Sequence, residues 1–319
     1  MRVIITDNDH KDIDIESKIL AEAGVSFELK QCKTEEDLIE QCKDTEIFIN
    51  QYAPITRRVM EALPNLKYVV RYGVGVNNVD VVAATELGVQ VGNVPDYGMN
   101  EVADHAIALM MSLVRKVVSV NTYTKTNTWD YIQSIPIHRC STQTVGVVGL
   151  GRIGRNFAEK AHALGFKIIG FDKFLPKDKF PDFVEPVGIE ELQERSDVIS
   201  IHCPSDGNID LFDKQAFQRM KKSAYIINCA RGGIINEDDL LWALENKEIA
   251  GAGIDCVTKE PMLPGSPLLD CDNYVVTPHM GWYSEEAAEE LNRKIAEEAV
   301  RFAKGQAIHY PVNQPAHLR

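Results

Sequence analysis

Arg231 and His279 are the side chains best suited to act on a carbonyl acid. Arg231 stands in Asn228-Cys229-Ala230-Arg231-Gly232-Gly233. The glycines after it leave room for a planar guanidinium to clamp a carboxylate and a neighbouring carbonyl oxygen, a fork geometry that lysine cannot match. His279 lies in Thr277-Pro278-His279-Met280-Gly281-Trp282, with Glu260 upstream beside Pro261. An imidazole is a natural proton donor to a carbonyl oxygen under reduction, and a carboxylate beside it would hold the ring and favour its protonated form. Singly, each has a plainer reading as a surface ion pair, a local hydrogen bond or a solvated loop. Their shared position after successive strands argues for one site.

A third segment suits a dinucleotide. Residues 144–148 form a β-branched run that enters Gly149-Leu150-Gly151-Arg152-Ile153-Gly154, and RNFAEKAHALG continues as a helix closed by Gly165. In such a strand-loop-helix, Gly149 permits the tight turn, Gly151 lets the backbone approach a pyrophosphate, and Gly154 lets the helix pack close to the strand. The helix N-terminal amides near Arg152 and Ile153 would face the phosphates. The next strand, 167–171, ends at Asp172, where a carboxylate accepts from ribose hydroxyls and repels a 2′-phosphate. NAD, used as NADH, is therefore expected over NADP, although the adjacent Lys173 weakens that preference.

The elements that must position these groups alternate. In the N-terminal third, strands are expected at 2–6, 46–50, 66–71 and 89–92, with helical spacing up to Gly24, near 57–63 and near 79–87. Gly73-Val74-Gly75 resembles a second glycine loop but has Asn78 where a third glycine would stand. Its exposed amides are either a nest for a carboxylate or simply a turn. Asn100 reads as the N-cap of an apolar helix, NEVADHAIALMMSLVRK, that marks a boundary, and an irregular connection follows over 121–140. A second series places strands at 144–148, 167–171, 198–202, 224–228, 250–255 and 273–277. From Ser284, EEAAEELNRKIAEEAVRFAK is a long amphipathic helix with glutamates at its positive end, stopped by Gly305, and an extended tail follows. Such alternation predicts an α/β protein with parallel sheets, whose ligands sit beyond the carboxyl ends of the strands. Asp172, His202, Arg231, Asp255 with Glu260, and His279 all follow strands.

Composition narrows the partners. The 319 residues allow about two domains. They carry 34 basic against 47 acidic residues, a formal charge of -13, which disfavours nucleic acid. No apolar run approaches the ~20 residues of a membrane span, and the N-terminus does not read as a signal peptide. Seven cysteines without a C-x-x-C pair fit a cytoplasmic protein better than a disulfide framework or zinc site. No metal is expected. His105 reads as a satisfied core histidine, while His10, His138, His162, His309 and His317 lack a convergent partner.

The ordered motifs RYGVGVNNVD, GVVGLGRIGRNFA, HCP, INCARGGIINEDDL, GAGIDCVTKEP and TPHMGWYSEEA resemble the D-isomer-specific 2-hydroxyacid dehydrogenases over nearly the whole chain. The resemblance implies two doubly wound parallel-sheet domains with an interdomain cleft. One is a flavodoxin-like substrate domain, residues 1–99 plus 289–319, and the other a Rossmann-like cofactor and dimerisation domain, residues 100–288. It implies a homodimer that reduces a 2-oxo acid to its D-2-hydroxy acid. It also implies that Arg231 binds the substrate, Glu260 supports the imidazole and His279 transfers the proton. Asp255 would hold the nicotinamide carboxamide, His202, Cys203 and Pro204 would line the adenosine side, Cys229 and Ala230 would complete the cofactor face, and Val74 with Gly75 would bind the substrate carboxylate. Where phosphoglycerate-specific members carry an arginine, this chain has Asn50, Gln51 and Tyr52, so a small non-phosphorylated substrate touching Tyr52 is expected. The Trp282-Tyr283-Ser284 segment is similar to the C-terminal binding proteins, dehydrogenase-like corepressors in which the tryptophan lines the pocket. An NADH-sensing dimer with little turnover is therefore the alternative.

Overall fold

Apolar runs such as residues 3–5, 47–49 and 198–201 are buried along their length, as parallel strands covered by helices on both faces must be. The computed structural model describes residues 1–126 and 128–319; residue 127, within the connection expected over 121–140, lies outside the described residues. The chain divides into two units, Met1–Gly98 with Ser284–Arg319, and Met99–Tyr283. The C-terminal helix thus enters the first unit from its N-cap at Ser284, ahead of residue 289.

The first unit holds β1 (Arg2–Ile5), β2 (Ser26–Leu29), β3 (Ile47–Asn50), β4 (Tyr68–Arg71) and β5 (Gln90–Gly92) in the order β2-β1-β3-β4-β5, all parallel. This is the flavodoxin-like order. Helices α1 (Asp14–Glu22), α2 (Glu35–Gln41), α3 (Arg57–Ala62) and α4 (Val81–Glu86) connect the strands. Strand β2 and helix α2 were not apparent from the sequence: β2 is an edge strand, largely exposed, and its SFEL lacks an apolar run. The C-terminal helix, Glu285–Ala303, is capped by Ser284, whose hydroxyl accepts from the Ala287 amide at 3.0 Å. It buries Leu291, Ile295, Ala296 and Ala299 and stacks Phe302 on Tyr68 with ring centroids 4.6 Å apart. The tail then runs extended beside β5, with the Val312 amide donating to Val91 O at 2.8 Å.

The second unit opens with α5 (Met99–Val114) and α6 (Val117–Thr124). Asn100 lies inside α5 rather than capping it, and Ala108 is exposed, so this helix is buried on one face only. A seven-stranded parallel sheet follows: β6 (Thr144–Val148), β7 (Lys167–Phe171), β8 (Val184–Pro186), β9 (Val198–Ile201), β10 (Tyr225–Asn228), β11 (Gly251–Ile254) and β12 (Tyr274–Val276). Its order, β12-β11-β10-β9-β6-β7-β8, reverses direction between β6 and β9, the switch point of a Rossmann-like sheet. Helices α7 (Arg152–Ala163), α8 (Ile189–Arg195), α9 (Lys214–Arg219) and α10 (Glu237–Glu245) form the crossovers. Edge strand β8 had no signal in sequence. Among the described residues no helix is long and apolar enough to cross a membrane.

Candidate active site

At the switch point β6 runs into the glycine loop. Gly149 has φ +90, and a Cβ there would lie 2.8 Å from the backbone of His202 and of Cys203. A Cβ on Gly154 would run into the Gly149 carbonyl oxygen, so the first turn of α7 packs directly on the loop. Gly151 is the N-cap of α7, without a side-chain cap, and the space where its Cβ would stand is open. The amides of Arg152 and Ile153 belong to that uncapped first turn, where helix N–H groups have no intrahelical acceptor. Leu150, Gly151, Arg152, Arg155, Asp172, Phe174 and Leu175 line an open cleft of about 440 Å³. These features fit an extended dinucleotide.

Asp172 ends β7 and is already engaged. Its Oδ2 accepts the Leu150 amide at 2.8 Å, and its Oδ1 accepts those of Phe174 and Leu175, both at 2.9 Å. Burial alone would raise its pKa, but the three amides and nearby Arg155 outweigh burial and hold the carboxyl below the usual aspartate value. A carboxylate offers about four acceptor positions, so one remains open on Oδ2.

His202 follows β9 beneath the loop. Its Nε2 lies 2.8 Å from Ser200 Oγ, its ring is 4.8 Å from that of Phe157, and its Nδ1 is buried without a partner. Burial pushes its pKa down to about 3, so the ring is neutral. Burial pushes the Cys203 thiol up to about 11, and the Pro204 carbonyl accepts from Asn208 at 2.8 Å.

After β10, buried Asn228 staples the next turn. Its Oδ1 accepts the Ala230 amide at 3.0 Å and its Nδ2 donates to the Arg231 carbonyl at 2.8 Å. Cys229 is buried, and the Arg231 guanidinium donates to Ala230 O at 2.7 Å. A Cβ on Gly232 would collide with the Val257 carbonyl, so the arginine loop lies flat against the segment after β11.

That segment holds the acid. The Val257 amide donates to Glu260 Oε1 at 3.1 Å, and Glu260 Oε2 stands 2.6 Å from His279 Nδ1. Both side chains remain about two-fifths exposed, 37% and 39%. His279 has φ 52, a left-handed conformation that costs a side-chain-bearing residue about 1–2 kcal/mol. Its amide donates to Asp255 O at 2.9 Å. The Asp255 side chain is 2% exposed and accepts from Thr277 Oγ1 at 2.6 Å, Met280 N at 3.0 Å and Gly281 N at 2.9 Å. Burial would raise the Asp255 pKa, but these bonds and His105 keep it lowered. Asp255 therefore clamps the turn that carries His279, and most of its acceptor capacity is spent there. His105 Nε2, 2.8 Å from Thr277 Oγ1, completes the network.

Two further pairings were not legible in sequence. The Cys256 thiol lies with Glu260 and His279, their donor atoms within 4.8 Å of one another, although His279 is remote in the chain. His309, read as lacking a partner, pairs with buried Glu298 at 2.8 Å in the first unit. Trp282 packs edge-on against Tyr283 with ring centroids 5.5 Å apart.

In the first unit, Asp7 Oδ2 accepts the Tyr52 amide at 2.6 Å and Asp7 Oδ1 the Gln51 amide at 3.1 Å. Asn50 and Gln51 are buried, so of this trio only Tyr52, 60% exposed, presents its side chain to solvent. The phenol end of Tyr52 is nonetheless partly screened from water beside Asp9, and both effects push it up to about 12. Val74 is exposed and Gly75 half-buried in the turn after β4, whose carbonyl at Val74 accepts from Asn93 at 2.7 Å.

A family model described as D-isomer specific 2-hydroxyacid dehydrogenase, NAD binding domain, matches residues 107–281. D-3-phosphoglycerate dehydrogenase of Methanocaldococcus jannaschii is 36% identical across 99% of this chain, which spans only 60% of that relative's length. Glyoxylate reductase of Korarchaeum cryptofilum is 33% identical across 94% of this chain and 94% of its own. The crystal structure of a glyoxylate reductase from Paecilomyes thermophila matches with a TM-score of 0.87 at 27% identity, covering 98% of this chain and 97% of that one.

Proposed function

The chain belongs to the D-isomer-specific 2-hydroxyacid dehydrogenases, its second unit containing their NAD-binding domain, and on that premise we propose that it interconverts a small, non-phosphorylated 2-oxo acid and its D-2-hydroxy acid. The observation that carries this reading is the 2.6 Å pair of Glu260 and His279 Nδ1, which leaves His279 Nε2 for a substrate oxygen. When bound, NADH supplies the hydride. The glycine loop, the first turn of α7 and Asp172 hold the dinucleotide. His202, Cys203, Pro204, Cys229 and Ala230, at the ends of β9 and β10, border it. Arg231 grips the substrate carboxylate and polarises the oxo group, and His279 protonates the oxygen as negative charge develops there, where preorganised positive charge lowers the barrier most. Asp255 fixes the left-handed turn that aims the ring.

Within the first unit, the reading assigns the Val74–Gly75 turn to the substrate carboxylate and Tyr52 to the R-group. Asp9 beside Tyr52 disfavours a phosphate dianion, because a carboxylate repels it, and the Arg71 charge near the same phenol offsets that only in part. A homodimer is part of the reading. Val117, Trp129, Tyr131, Ile132 and Ile135 are all more than half exposed, a concentration of apolar surface suited to a second copy. Seven free cysteines support a reducing, cytoplasmic setting, and the formal charge of -13 speaks against nucleic acid.

A panel of 2-oxo acids with NADH tests the proposal: glyoxylate, hydroxypyruvate, pyruvate and longer branched acids against 3-phosphohydroxypyruvate. Turnover confined to the non-phosphorylated acids is expected. Preference for the phosphorylated acid would overturn the substrate assignment, and tight NADH binding without turnover on any acid would overturn the enzyme in favour of a sensor.

A further inference from the structure

We propose that Cys256, Glu260 and His279 form a binding site for a thiophilic divalent cation, zinc above all, whose occupation switches the proton-donating pair off. Among the described residues this is the one group of three potential metal ligands held together, with the Cys256 sulfur, a Glu260 oxygen and a His279 nitrogen all within 4.8 Å of one another. Zinc takes sulfur at ~2.3 Å, imidazole nitrogen at ~2.0–2.1 Å and carboxylate oxygen at ~2.0–2.2 Å. Tetrahedral ligands therefore stand roughly 3.3–3.6 Å apart. The most distant donors need to close by roughly 1.2–1.5 Å and the 2.6 Å pair of Glu260 and His279 to open slightly, both within reach of side-chain rotation.

The surroundings favour such an ion. Cys256 is 2% exposed and forms the floor, whereas Glu260 and His279 keep open sides through which an ion enters and where water completes the coordination. The Val257 amide bond to Glu260 and the Asp255 clamp on the His279 turn prearrange two of the three ligands. Thiolate and carboxylate neutralise a divalent charge while imidazole stays neutral. The thiol proton and the proton shared between Glu260 and His279 leave to solvent, and no electron moves. A sulfur donor selects zinc or cadmium over magnesium and calcium, which require oxygen ligands. Cys256 has no part in the proposed reaction, so the ion would act only by occupying Glu260 and His279.

The inhibitory half rests on the role proposed for His279; the binding half does not. The experiment therefore reads both, using the full chain. Zinc chloride is titrated by equilibrium dialysis, and NADH oxidation with glyoxylate or hydroxypyruvate is followed at the same zinc concentrations. One zinc per chain is expected in the micromolar range, with turnover falling as occupancy rises and returning on addition of EDTA, while magnesium has no effect. Cys256→Ala should keep zinc-free turnover close to wild type and lose at least about tenfold in zinc affinity, no less than removing a group that merely hydrogen-bonds a metal ligand costs other sites. Should that variant misfold, Cys256→Ser, which retains a side chain of similar size, reads the same loss. Undiminished zinc binding in both variants, or none in the wild type, overturns the site. Zinc bound at Cys256 with turnover unaffected overturns the switch. If no 2-oxo acid is turned over, the proposed reaction fails, yet zinc stoichiometry and its dependence on Cys256 still decide the site.

Discussion

The main-chain amide of His279 donates to the carbonyl of Asp255 at 2.9 Å, and the carboxylate of the same aspartate receives the amides of Met280 and Gly281. One buried residue thus fixes the turn on both sides of the imidazole. Asp255→Asn places an NH2 group against one of these donors. It should cost about 1–3 kcal/mol of stability and lower kcat by misaiming His279. Thermal melts and steady-state kinetics check this, and a variant with unchanged kcat would show that the turn holds without the carboxylate.

His279→Ala should cut kcat by about 10²–10⁴, the usual worth of a general acid, with NADH affinity unchanged by fluorescence titration. Because the residue sits at φ 52, His279→Gly should be the more stable of the two, by about 1 kcal/mol. Equal melting temperatures would mean that the turn relaxes when the ring is gone.

Arg231→Lys keeps the charge and loses the fork. KM for the 2-oxo acid should rise and kcat fall together, whereas unchanged values for both would remove the arginine from the site.

For Asp172→Ala two effects should appear together. The preference for NADH over NADPH should shrink as the repulsive charge is lost. Affinity for both cofactors should drop as well, because the carboxylate also fastens the amides of Leu150, Phe174 and Leu175. Direct titration of each cofactor separates these effects, and an unaltered ratio would place ribose recognition elsewhere.

His202 supplies the pH dependence. Folded, its pKa is pushed down to about 3; unfolded, it returns to its ordinary value of 6.5. Between these values the unfolded chain binds the extra proton, so this contribution to stability is complete above 6.5 and drains away as pH falls toward 3. A few kcal/mol are at stake at the acid end, at about 1.4 kcal/mol per pKa unit. Melting curves from pH 7 to 4 should show the wild type losing ground to His202→Asn as the solution is acidified, and parallel curves would contradict it.

Central strands were legible because burial on both faces leaves unbroken apolar runs: the bounds expected for 144–148 and 167–171 are those observed. Edge strands β2 and β8 each have one unpaired side and short, mixed sequences, so the pattern fades there. In the site, Arg231, Glu260 and His279 were visible as side-chain types after strands, and Glu260 and His279 meet, as their places after strands suggested. Asp172 and Asp255 stood out in the same way, but their bracing of the backbone, like that of Asn228, did not, because an amide has no letter in the sequence. Cys256 escaped notice for a related reason, since only the folding of β11 beside β12 brings it to His279.

The first unit is assembled from residues 1–98 and 284–319, with the whole of the second between them. On a ribosome, the opening five-stranded sheet must wait for the closing helix and tail to emerge before Leu291, Ile295 and Phe302 can cover it, whereas residues 99–283 have their entire core available earlier. The middle of the chain is thus free to mature first, while the beginning remains a nascent segment in need of its distant other end.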